Sequence, residues 1–223
     1  MLRNRYIFIT ITLLFSLLSQ AQKRYPSGLN LRGADEELWN FGFLVNLTNY
    51  GTSYTIENPP IDSSTLNIHD KIAGGIRFVA EHRIFGRTDL RIEPGILFDR
   101  AAIGNPKGGI TELQLPLLIK YQSERHANYN PFILGGYLAS YKTSQNITSW
   151  SIPYYRFMHS IELGTGVDFY FKKSKFAISL RFITPIVSDQ KNFTTNTFKN
   201  LRSKAVLLTI GIESKDGWKI YTK

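Results

Sequence analysis

The feature that most constrains this chain is a two-residue period. Runs of roughly ten residues alternate between an apolar set and a polar or small set, as side chains on the two faces of a strand do. Trp39, Phe41, Phe43, Val45 and Leu47 alternate with Asn40, Gly42, Leu44 and Asn46. The pattern returns at Ile72–Ala80, Leu90–Phe98, Leu113–Tyr121, Tyr129–Tyr141, Tyr155–Phe171, Phe176–Ile186 and Val206–Ile212. No long segment carries the 3.6-residue period of an amphipathic helix. Eight such runs predict eight strands.

The connections alternate as well. Those near 83–88, 123–128 and 172–175 are short, whereas those near 48–69, 101–110, 143–154 and 187–203 are long. Short turns at one end and long loops at the other are the layout of an outer-membrane barrel, and an even strand number leaves both termini at the short-turn side. Alternation by itself does not say which face is enclosed, because a soluble lipocalin-like barrel has the same period with inside and outside exchanged. Three features favour lipid outside. Large aromatics stand at the ends of the apolar faces, at Trp39, Tyr121, Tyr129, Tyr141, Tyr155 and Phe171, as an interfacial girdle does. The polar faces carry both signs of charge at mid-strand: Arg77, Glu81, Arg91, Glu93, Asp99, Glu112, Lys120, Glu162, Asp168 and Arg181. Glycines interleave with them (Gly75, Gly95, Gly136, Gly164, Gly166), which suits a narrow interior filled by paired charges.

The N-terminus reads as an address. In MLRNRYIFITITLLFSLLSQA, Arg3 and Arg5 precede an apolar stretch from Tyr6 to Leu18, and Ser19-Gln20-Ala21 offers small residues for cleavage. A single N-terminal membrane anchor is the alternative. The expected organisation is a signal peptide at 1–21, a periplasmic leader at 22–38, one barrel domain at 39–213 and a basic tail at 214–223. The fold expected is all-β: an eight-stranded antiparallel transmembrane β-barrel of outer-membrane type. The leader carries Lys23, Arg24 and Arg32, then Asp35, Glu36 and Glu37; docking on a periplasmic partner and a disordered lead-in both fit it.

Composition narrows the chemistry. The 223 residues contain no cysteine, which excludes disulfides, thiolate metal sites, a Cys nucleophile and a lipid-modified N-terminal cysteine. A mean hydropathy of −0.16 is too polar for a helical membrane protein and suits a barrel with a polar inside. The formal charge is +10, or +8 without Arg3 and Arg5 (25 basic against 17 acidic residues). The basic residues are spread over turns and strand ends, with no helix or stacking platform to present them, so nucleic acid is not expected as a partner. Outer-membrane lipid is; the turn Lys172-Lys173-Ser174-Lys175 is the clearest cluster for meeting lipid phosphates.

Several segments resemble the PorT (SprT) family of Bacteroidetes outer-membrane proteins. They are RIEPGILFDRAAIGNPKGGITELQLPLLIKYQS at Arg91–Ser123, PFILGG at Pro131–Gly136 and ELGTGVDFY at Glu162–Tyr170, after an early Phe41-Gly42-Phe43 strand. The resemblance runs from about Trp39 to Glu213. It implies a non-catalytic component of the type IX secretion system, required for export of surface and secreted proteins, with other secretion components as partners. An independent small outer-membrane barrel, an adhesin or a minor porin, is the other reading. The basic tail KDGWKIYTK departs from barrels that end on an aromatic residue of the last strand.

No catalytic, cofactor-binding or metal site is assigned, and no small-molecule substrate. The chain has no P-loop, no dinucleotide-binding glycine motif, no HExxH and no EF-hand loop. Of the four histidines, His69 beside Asp70, near Ser63 and Ser64, is the one grouping from which an acyltransferase could be imagined, and a solvated loop accounts for it. His159 falls on the apolar face, as an interfacial residue.

Overall fold

The computed structural model describes residues 38–56, 72–102, 105–143, 157–171, 174–186 and 198–214. All of its regular structure is strand: β1 (Trp39–Ile56), β2 (Ile72–Phe85), β3 (Thr88–Ile92), β4 (Gly95–Ala102), β5 (Asn105–Gln122), β6 (Tyr129–Lys142), β7 (Phe157–Tyr170), β8 (Ser174–Pro185) and β9 (Phe198–Ser214). Neighbours pair antiparallel, and β1 pairs with both β2 and β9, so the sheet closes on itself. Closure leaves no unpaired edge, which a strand structure in lipid requires.

Nine strands make eight staves. β3 and β4 both lie between β2 and β5, and the register is continuous across the break: Glu81 faces Arg91 and Arg77 faces Gly95. The interruption falls at Glu93-Pro94, opposite Pro116, where two prolines lack the N–H a ladder needs. The remaining donors keep the staves joined. Phe78 N–H donates to the Pro94 carbonyl at 2.8 Å, and Glu93 N–H to the Pro116 carbonyl at 3.1 Å.

The registers fix the size of the cylinder. Stepping between paired residues from Glu112 through Leu97, Gly75, Asn46, Thr209, Ser179, Gly166 and Phe132 returns to β5 at Gln122, ten residues further on. Eight staves with that stagger give a strand tilt of roughly 40° and a backbone radius of roughly 8 Å. Side chains fill such an interior.

The apolar face points outward. Phe43, Val45, Leu47, Ile76, Phe78, Leu115, Leu117, Ile119, Ile133, Leu163, Leu180, Phe182, Leu208 and Ile210 are all exposed around the wall. A band of that extent on a soluble protein would be an aggregation surface; around a closed barrel it is the surface that meets hydrocarbon.

The strands run further than the alternation shows. β1 continues to Ile56, β5 starts at Asn105 and β9 at Phe198, inside stretches expected as long loops. Beyond the bilayer an outward side chain need not be apolar, so Thr48, Asn49, Tyr50 and Gly51 pair with β9 without any hydrophobic signature. Residues 1–37 and 215–223, where the signal peptide, nearly all of the leader and the basic tail are expected, lie outside the described residues.

Candidate functional site

The inward face of each stave changes character along its length. From the short-turn end, β2 points Arg83, Glu81, Val79, Arg77, Gly75 and Ala73 inward; β8 points Lys175, Ala177, Ser179, Arg181, Ile183 and Pro185; β9 points Glu213, Gly211, Thr209, Leu207 and Ala205. Most of the charge therefore collects in the lower and middle lumen, with Glu112 and Lys142 nearer the long loops. Above it, Tyr50, Ala73, Leu97, Leu138, Ile183, Ala205 and Leu207 form one buried apolar cluster at the long-loop end.

Five carboxylates and five cations make a single connected network. Near the short turns, Glu81 accepts from Arg91 (2.7 Å), Lys120 (3.3 Å) and Lys175 (3.3 Å). Lys120 also reaches Asp168 (2.7 Å), and Glu213 holds Lys175 (2.6 Å) and Arg91 (2.9 Å). At mid-lumen, Glu93 meets Arg77 (3.1 Å) and Arg181 (2.6 Å), and Glu162 meets the same two arginines (3.0 and 2.9 Å). Arg91 joins the two halves through Glu93 at 2.5 Å. Gln114 Oε1 accepts from Arg77 and its amide donates to Glu112. Equal numbers of each sign offset the large cost of taking isolated ions out of water.

Glycine makes room for the long side chains. A Cβ on Gly164 would come within 2.7 Å of Arg181 Cγ, and one on Gly95 within 2.5 Å of Arg77 Cγ. Lys120 additionally lies over the Phe132 ring, 4.4 Å from its centroid.

Of the ten charges singled out from sequence, Arg77, Glu81, Arg91, Glu93, Glu112, Lys120, Glu162, Asp168 and Arg181 are all inside and at most 2% exposed. The side chain of Asp99 is outside those described. Asp89, Lys142, Lys175 and Glu213 are buried in the lumen too, and sequence reasoning did not place them there. Lys175 is a correction. It had been grouped with a turn facing lipid phosphate, yet it keeps the inward phase of Ala177, Ser179 and Arg181 and ends among three carboxylates. Continuing that phase to the strand end would have found it.

Among the aromatics, Trp39, Tyr121 and Phe171 are exposed at the short-turn end, where the Trp39 ring lies against that of His82, tilted by 32° with centroids 4.3 Å apart. Tyr129 at the same end and Tyr141 at the long-loop end are half-buried, Tyr141 against Phe157. Tyr155 lies outside the described residues, as do Ser63, Ser64, His69 and Asp70. The short turns are linked to one another: Arg87 pairs with Glu124 at 2.7 Å, and Arg125 lies over the Tyr170 ring. The Arg87 hydrogen bond and charge hold the Glu124 carboxyl below its ordinary range. His159 is on the outer wall, hydrogen-bonded through Nδ1 to the Tyr137 hydroxyl.

No known family profile and no curated protein matches the chain. Solved structures do. Neisserial surface protein A (NspA) aligns with a TM-score of 0.50 at 13% identity, over 78% of this chain and 96% of that one. OprG from Pseudomonas aeruginosa aligns at 0.47 and 11%, over 79% and 95%. The outer membrane protein AlkL, solved in lipid bilayers, aligns at 0.47 and 11%, over 86% and 95%. At such identity the likeness to NspA is one of fold. The closed cylinder, its outward apolar band and its enclosed charges define a small eight-stranded β-barrel of the bacterial outer membrane.

Proposed function

We propose that this barrel is a non-catalytic component of the type IX protein secretion system, required for export of surface and secreted proteins. The reading rests on the order and spacing of the PorT-like segments at Arg91–Ser123, Pro131–Gly136 and Glu162–Tyr170. The neutral ion-pair network supports the part of it that concerns mechanism. A lumen occupied by ten mutually paired charges under an apolar layer is a scaffold rather than a conduit. In that role the cylinder holds loops on one side of the membrane and short turns on the other, where they engage other secretion components.

Deleting the gene tests the proposal. Loss of export of many unrelated surface proteins, restored by the intact gene, supports it. Loss of a single adhesion or permeability trait would instead identify an independent surface barrel.

A further inference from the structure

Toward its long-loop end the outer wall carries a cluster of polar side chains with hydrogen-bonding capacity. On β7, β8 and β9, near the long-loop end of the band of exposed hydrophobics, His159, Thr184 and Lys204 all point outward and are exposed, with Phe157 and Ile186 one step further up. Register brings them together. Ile183 pairs with Ala205, so Thr184 and Lys204 fall side by side one residue further up. Ile161 pairs with Thr184, and His159 follows Ile161 on the same face, one step nearer the loops. Thr184 is thus flanked by an ammonium directly across on one side and by an imidazole at the diagonal position on the other, about 5 and about 7 Å away for cross-strand neighbours of those kinds.

Each of the three can supply a donor, His159 in the tautomer whose Nδ1 accepts from the Tyr137 hydroxyl. The Tyr137 hydroxyl occupies His159 Nδ1, which leaves Nε2 as the free nitrogen of the ring. Lys204 has no ion-pair partner among the described residues. No carboxylate shares the described outward face of these three staves. Immediately below stand Ile161, Phe182, Val206 and Leu208, all exposed. A cation, a hydroxyl and a ring N–H above an apolar wall match one chemical object: a phosphate carried on acyl chains.

We propose that His159, Thr184 and Lys204 form a binding site for the phosphate headgroup of an outer-leaflet lipid, with its chains laid against Ile161, Phe182 and Val206. The occupant is a membrane lipid rather than a free anion, because a soluble phosphate gains nothing from the wall beneath. Long-loop ends of such barrels face outward from the cell, which places the site in the outer leaflet. The site is independent of any role in secretion.

Native mass spectrometry of the intact chain in neutral detergent tests this, with dioleoyl phosphatidic acid against dioleoylglycerol, which has the same chains and no phosphate. One phosphatidic acid molecule should be retained at least tenfold more than dioleoylglycerol. Lys204→Gln and Thr184→Val should each reduce that retention severalfold, and together with His159→Phe abolish it. Arg87→Gln, at the other end of the barrel, should leave it unchanged. The shift in gel migration between unheated and boiled samples reports that each variant has folded. Equal retention of the two lipids, full retention by the folded triple variant, or displacement of phosphatidic acid by millimolar glycerol phosphate would each overturn the proposal.

Discussion

Arg181 on β8 and Glu93 at the β3–β4 junction are 88 residues apart in sequence and meet across the lumen through two hydrogen bonds, of 2.6 and 3.1 Å. Glu93 also holds Arg77 and Arg91, so one carboxylate compensates three guanidinium groups in a water-poor interior.

Removing that charge exposes the imbalance. Glu93→Gln should destabilise the folded barrel by about 3 kcal/mol or more, the usual cost of leaving a buried ion uncompensated. The midpoint of urea unfolding in micelles measures it. Replacing Glu93 and Arg181 together by Leu and Met should recover part of the loss, because both members of a pair then leave at once.

Steric room makes a second, opposite pair of predictions. A Cβ on Gly136 would sit 2.1 Å from the Leu117 carbonyl oxygen and 2.9 Å from Leu118 Cα, both backbone atoms that cannot step aside. Gly136→Ala should cost about 1–3 kcal/mol through overpacking. Gly74 has nothing within 4 Å of the same position. Gly74→Ala should be neutral or stabilise by up to roughly 1 kcal/mol, from the smaller entropy lost on folding. The same unfolding measurement compares them.

Asn46 Oδ1, Thr48 Oγ1 and Thr209 Oγ1 are buried on the β1–β9 seam without a hydrogen-bond partner among the described residues. Asn46 and Thr209 face each other directly. A hydroxyl with nothing to bond contributes desolvation cost and no compensation. Thr209→Val, which keeps the shape, should therefore leave stability unchanged or raise it slightly.

The Arg87–Glu124 pair lies outside the membrane-spanning segments and gives a pH prediction. Arg87, by hydrogen bond and charge, depresses the Glu124 carboxyl. A carboxylate with a lowered folded value stabilises above its unfolded value and loses that contribution as pH falls through the folded one. Both side chains are largely exposed, so the effect on stability is small. The carboxyl carbon shift of Glu124, followed by NMR from pH 7 to pH 2, should titrate below a normal glutamate. In Arg87→Gln it should move up to the ordinary range.

The legible part of the fold was the part that lipid dictates. Where a stave crosses hydrocarbon, an outward residue must be apolar, and Phe43, Ile76, Leu117 and Ile210 gave away both the strand and its phase. Where a stave leaves the bilayer, that demand stops. Thr48–Ile56 is strand, yet nothing in its pattern requires it. The lumen was legible in the same uneven way. Arg91 and Glu162 stand amid clean alternation, whereas Lys175 and Glu213 stand at strand ends, where a turn or a tail is an equally natural setting for a charge. On β6 the inward Phe132, Leu134 and Leu138 are as apolar as the outward face. There the alternation is one of exposure, not of polarity, and only the registers resolve it.

The ten networked charges come from six of the eight staves, and half of their ion pairs join staves that are not neighbours in the sheet, such as Arg91 of β3 with Glu213 of β9 and Lys175 of β8 with Glu81 of β2. None of these contacts exists while the sheet is still open. A half-inserted hairpin would carry its ions into the membrane only partly matched, so each partial assembly is penalised and only the completed cylinder is fully compensated. Insertion and closure should therefore occur as one concerted event, with the first and last staves meeting as the interior neutralises.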